Sequence, residues 1–143
     1  MYFKLFLVLI LLAFVSNIYS QPQKTLSVNF SSKDTLVVLW TSGDPDVAKK
    51  VCLMYTHAVA KYNWFKKVTL IVWGPSAKLL ASDIKLQEKI KQMKSDGIDL
   101  QACVVCADSY GVSDKLRDMG FEVIGMGKPL TQYLKSDYSV LTF

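Results

Sequence analysis

The sequence predicts an α/β protein, a three-layer α/β/α sandwich built on a mainly parallel five-stranded sheet. Three observations predict it. Five apolar runs of strand length recur along the chain almost without polar interruption, as strands buried on both faces require. Between successive runs lie segments that start and stop like helices. Glycine, proline and aspartate stand at the junctions, where they break one element and start the next. Strand alternating with helix in this manner argues a parallel sheet with helices on both faces.

The chain opens with "MYFKLFLVLILLAFVSNIYS", in which Lys4 is the only charge and Leu5 to Val15 are all apolar. A short basic start, an apolar stretch too short to span a bilayer comfortably and small residues before a polar segment mark residues 1–20 as a signal peptide. Cleavage after Ser20 makes Gln21 the mature terminus, and no cysteine follows the apolar run to take a lipid anchor. Residues 21–34 are polar and weakly patterned, an N-terminal arm or short leading strand. Residues 35–143 are expected to form one domain, long enough for a hydrophobic core. The leader places the mature protein in the periplasm, free of the membrane.

"TLVVLWT" (Thr35 to Thr41) is the first strand, stopped by "SGDPD", where Asp44 is placed to cap a helix. From Asp46 the residues Val47, Val51, Met54, Tyr55, Ala58, Val59 and Tyr62 recur every three or four positions, the stripe of an amphipathic helix ending near Asn63. "KVTLIVWG" (Lys67 to Gly74) is the second strand, and the following segment holds a short helix or turn and a longer helix closing at Gly97. "IDLQACVVC" (Ile98 to Cys106) is expected as the third strand. "ADSYGVSDKLRDMG" is expected as one helix stopped by Gly120, "FEVIGMG" as the fourth strand, "KPLTQYLKSD" as a short helix and "YSVLTF" as the fifth strand.

In such sheets, ligands and chemistry collect at the carboxyl ends of the strands. The loops expected there are Ser42–Asp46, Gly74–Ala77, Cys106–Gly111 and Gly125–Pro129. The chain carries 17 basic and 12 acidic residues. Setting Lys4 aside with the leader leaves 16 against 12, with the lysines scattered along helix faces, so no nucleic-acid partner is expected.

Three cysteines in an exported chain are an odd number, so one disulfide cannot use them all. Cys103 and Cys106 fall at the predicted functional edge, where a thiolate beside a helix amino terminus has its pKa lowered. The alternative is that cysteines in an apolar strand are small core residues. A zinc site needs more ligands than this pair and the single histidine, His57, supply, so no metal or other cofactor is expected. A Cys103–Cys106 disulfide meets a geometric objection: three residues of strand span about 10 Å, beyond the roughly 7 Å that a disulfide bridges. It closes only if the strand ends at Cys103 and Val104 and Val105 turn. Cys52 is read as a core thiol, His57 as a helix residue of packing value, Asp44 as a cap, and Gly125 and Gly127 as a tight turn.

From "TLVVLWTSGDP" to "YSVLTF" the chain resembles the DsrE/DsrF-like family, which includes TusD-type sulfur-relay subunits and small YchN-like proteins. The most specific part is "GIDLQACVVCADSYGV", with a cysteine at the end of the third strand, a C-x-x-C spacing and a glycine near the next helix; the terminal "VLTF" is a second shared feature. The resemblance implies the sheet derived above. It also implies a homo-oligomer, trimer or hexamer, and a persulfide carried on Cys103, with Cys106 matching the second cysteine of the YchN-like branch. The implied activity is that of a sulfurtransferase or sulfur carrier. A non-enzymatic oligomeric binding module on the same fold is the competing reading. The leader departs from the cytoplasmic relay subunits.

Overall fold

The computed structural model describes residues 34–143. The expected signal peptide and nearly all of the expected N-terminal arm lie outside the described residues. Five strands form one sheet in the order β4-β3-β2-β1-β5: β1 (Thr35–Trp40), β2 (Lys67–Val72), β3 (Asp99–Cys103), β4 (Glu122–Ile124) and β5 (Ser139–Thr142). All neighbouring pairs are parallel.

Strand order decides which face each helix covers. Moving from β1 through β4, the chain steps always in one direction, so right-handed crossovers put every intervening helix on the same face. These are α1, which opens at Pro45–Val47, widens into a π-helical stretch at Ala48–Cys52 and continues as Leu53–Lys61, then α2 (Pro75–Ser82), α3 (Ile84–Ser95), α4 (Val104–Ser109) and α5 (Ser113–Asp118). The last connection runs back from β4 to the far side of β1, and its helix α6 (Gly127–Lys135) lies on the opposite face.

The packing agrees. Leu36, Val38 and Trp40 of β1 point into the main core with Leu70, Val72, Ala102, Leu53, Leu80, Ile90 and Leu116. The alternate residues Val37 and Ile71 form a second, smaller cluster with Cys103 and Met126, flanked by Tyr133 of α6. The structure is thus the expected three-layer α/β/α sandwich, with one thick helical layer and one thin one.

Three boundaries differ from expectation. The third strand stops at Cys103 rather than Cys106, because its partner β2 ends at Val72, paired with Ala102, and β4 ends at Ile124, paired with Cys103. With no ladder to join, Val104 and Val105 enter a helix despite their β-branched side chains, and Val105 is left 71% exposed. The single helix expected over 107–120 is two helices, separated at Gly111, whose φ of +66° is left-handed. β4 keeps only three residues of the expected seven.

Elsewhere local chemistry matches. Asp44 caps α1, accepting from the N–H groups of Asp46 at 2.7 Å and Val47 at 3.1 Å. The stripe expected on α1 is corrected: of its members Val51, Met54 and Tyr62 are exposed, and the face turned to the core is Ala48, Cys52, Leu53, Thr56 and Val59, in a helix whose π-helical stretch departs from the regular spacing of three and four.

Candidate functional site

At the carboxyl edge, β3 passes into α4 with no intervening loop. Cys103 is the N-cap of α4, with extended backbone (φ −72°, ψ 115°). Cys106 is three residues on, at the third helical position. N-cap and third-position side chains face each other at a helix start, as in a capping box. Here the two thiols occupy that arrangement, near enough for Cys103 to influence the ionisation of Cys106. The geometric objection to their meeting is therefore removed by the condition it named: the strand ends at Cys103 and the two valines turn. Both cysteines are free thiols in this structure.

The second loop completes the site. The backbone N–H of Gly74, at the N-cap of α2, lies beside the Cys106 sulfur and favours its thiolate. Its backbone (φ +72°, ψ −136°) is open to glycine and strained for other residues, and this conformation presents the N–H to the thiol. Ser76 locks the strand ends beneath: its Oγ donates to the Trp40 carbonyl at 2.6 Å and accepts from the Trp73 N–H at 3.1 Å. Gly43 of the first loop packs so closely on Pro75 that an added Cβ would lie 3.0 Å from the proline Cβ.

Cys103 is 5% exposed, in the small apolar cluster with Val37, Ile71 and Met126. Cys106 is half-buried at the rim of that cluster. The expectation of a pKa lowered by the helix start is corrected for Cys106. Burial pushes its thiol up, the neighbouring Cys103 pushes the same way, and the Gly74 N–H only partly offsets them. Cys106 is therefore held mainly as the thiol at neutral pH.

A polar strip runs beside the pair on the same sheet face. Tyr133 Oη donates to Gln101 Oε1, and Gln101 Nε2 donates to Glu122 Oε2, both at 3.0 Å. Gln101 precedes Cys103 by two residues, so the strand period puts both on one face. Sequence reasoning missed Gln101, Glu122, Tyr133 and Ser76. The one available signal was a glutamine in an otherwise apolar run at the same parity as Cys103.

The remaining candidates lie elsewhere. Cys52 is fully buried in the main core and its thiol is pushed up to about 12 by burial, with a partial opposing effect from Thr56. His57 sits between Lys89 and Asp96, on the helical layer and away from the cysteines. Gly125 and Gly127 make the turn into α6 without left-handed backbone. Among the described residues, no three of His, Cys, Asp or Glu converge as metal ligands, and no helix is long and apolar enough to cross a membrane.

No curated protein matches the chain. A conserved protein of unknown function, BT1422 from Bacteroides thetaiotaomicron, has a similar structure with a TM-score of 0.74 and 35% identity, over 77% of this chain and 95% of that one. The ychN protein from E. coli has a TM-score of 0.60 at 17% identity, over 78% of this chain and all of that one, a likeness of fold. The profile of the DsrE/DsrF-like family matches residues 34–143, which span every strand and helix described above. The chain belongs to the DsrE/DsrF-like family.

Proposed function

We propose that this protein is an exported sulfur-handling member of its family that carries or transfers sulfane sulfur as a persulfide on Cys103. The supporting observation is the cysteine pair itself, two neighbouring free thiols at a strand-to-helix junction on the carboxyl edge, with the Gly74 N–H beside one of them. In the loading step, the Cys103 thiolate attacks the outer sulfur of a persulfide or polysulfide donor. A new S–S bond forms on Cys103 as the donor S–S bond breaks, and the donor leaves as a thiolate or a shortened polysulfide. Two releases balance. An acceptor thiolate takes the outer sulfur and regenerates Cys103. Alternatively Cys106 attacks the inner sulfur, expelling hydrosulfide and leaving a Cys103–Cys106 disulfide, which an external thiol reductant then opens.

Periplasmic location rests on the leader, and the intact mass of the processed protein tests it, with a chain beginning at Gln21 expected. Assembly as a homo-oligomer, trimer or hexamer, is supported by the thin layer. None of the residues of α6 is buried, and Leu134 is 63% exposed.

The competing reading is a non-enzymatic binding module, favoured by the burial of Cys103 and the raised Cys106 thiol. Mass spectrometry after polysulfide treatment decides between them. Cys103→Ser is expected to abolish the sulfur adduct, and Cys106→Ser to keep it and slow its release. Equal loading of both variants would leave the binding module as the better account.

A further inference from the structure

The helical layer carries a second site that the sulfur chemistry does not use. Lys49 of α1 and Lys89 of α3 both line two adjoining depressions, of about 320 and 340 Å³. Lys85 joins the first and Lys61 the second. Four lysines thus line the two depressions where α1 faces α3.

Two carboxylates oppose them. Asp83 pairs with Lys49 at 2.7 Å, and Asp96 is held by His57 at 2.5 Å. Among the described residues, Lys61, Lys85 and Lys89 have no carboxylate within ion-pair distance.

Lys89 is not a loose surface lysine. Its side-chain nitrogen meets Nδ1 of His57. The His57 side chain is only 14% exposed, meets Lys89 on one side and Asp96 on the other, and bridges the two helices beside both depressions. Partial burial lowers the Lys89 pKa; Asp96 opposes this, and the nearby charge of Lys61 adds to it. A bound anion would relieve that repulsion.

The walls are apolar. Leu53 and Leu86 form the floor of one depression. Met54, 57% exposed, and Tyr62, 61% exposed, rim the other. Tyr62 stacks on Trp64 with centroids 5.7 Å apart, which stiffens the rim. Anchored positive charge beside exposed sulfur and aromatic surface suits a ligand with a charged head and a flat apolar body.

We propose that the groove between α1 and α3 binds a small organic phosphate, its phosphate at Lys89 and its apolar body against Met54 and Tyr62. Adenosine monophosphate and inorganic phosphate serve as probes on the mature protein, by calorimetry at low salt. The nucleotide is expected to bind measurably tighter than phosphate. Lys89→Gln is expected to weaken it at least about tenfold through loss of a charge-assisted hydrogen bond, and Lys61→Gln, at an exposed position, to weaken it in the same direction. Lys128→Gln, which removes an equal charge on the opposite face, is expected to leave affinity unchanged. Absence of binding at millimolar nucleotide overturns the proposal. So does equal weakening by Lys128→Gln, which would make the effect one of net charge. Phosphate binding as tightly as the nucleotide overturns the role given to the apolar rim. Binding of an acidic polypeptide such as polyglutamate without the nucleotide overturns the small-molecule assignment in favour of a protein contact.

Discussion

Replacing Gly74 with alanine isolates what the β2–α2 junction does for the cysteine pair. The glycine has φ +72° and ψ −136°, and a methyl group there would meet no heavy atom within 4 Å. The penalty is therefore backbone strain alone, about 1–3 kcal/mol for an L residue in such a region. The chain has two responses. If the loop keeps its shape, the whole penalty appears as lost stability, with each kcal/mol lowering Tm by about 4–8 °C for a domain of this order of size. If φ relaxes to negative values, the Gly74 N–H leaves Cys106, and the thiolate loses a charge-assisted hydrogen bond of about 1.5–3 kcal/mol. At about 1.4 kcal/mol per pKa unit, the Cys106 thiol, already raised by burial and by Cys103, then rises at least about one unit further. Its alkylation near neutral pH slows by roughly tenfold, because the thiolate is the reacting species. Urea melts and iodoacetamide labelling followed at Cys106 by peptide mass mapping, each on Gly74→Ala and the parent, read the two responses separately. An unchanged midpoint together with an unchanged labelling profile would refute the reasoning.

Other expectations follow from the same geometry. Cys52 holds its proton to about pH 12 in the fold, against about 8.5 for a free thiol. A raised folded pKa means stability is fully present below the unfolded value and is lost as pH rises toward the folded one. Urea melts between pH 8 and 11 should therefore show a loss, of up to several kcal/mol at the alkaline limit, that is much smaller in Cys52→Val. Ser76→Ala removes the hydroxyl that ties Trp40 to Trp73 and should lower stability by about 1–3 kcal/mol in denaturant titration. Leu134→Asp puts a charge at an exposed apolar position of α6 and should reduce the proposed homo-oligomer to smaller species by light scattering, with the far-ultraviolet circular dichroism of the parent retained.

The apolar runs, the breakers between them and the amphipathic stripes were local properties, and they were enough to identify the alternation of strand and helix and the layered α/β class. Asp44 as a cap was legible for the same reason, since a cap acts within its own first turn; Cys52 is the core thiol expected, although the stripe residues Val51 and Met54 beside it are exposed. Where each strand stopped was not local. "VVC" has every propensity of a strand, yet it turns into α4 because β2 and β4 have run out beside it, and a strand persists only as far as its ladder.

That one boundary decided the relation between Cys103 and Cys106, since extended residues would have held them apart and a helix start brings them together. The strip of Gln101, Tyr133 and Glu122, and the lysines gathered around His57, come from residues far apart in the chain. Their meeting depends on strand order, which sends five helices to one face and one to the other. Periodicity in the sequence marked where strands and helices lie; only the assembled sheet determined which face of α1 turns inward and which residues meet, because pairing and crossover are contacts between segments that no local pattern encodes.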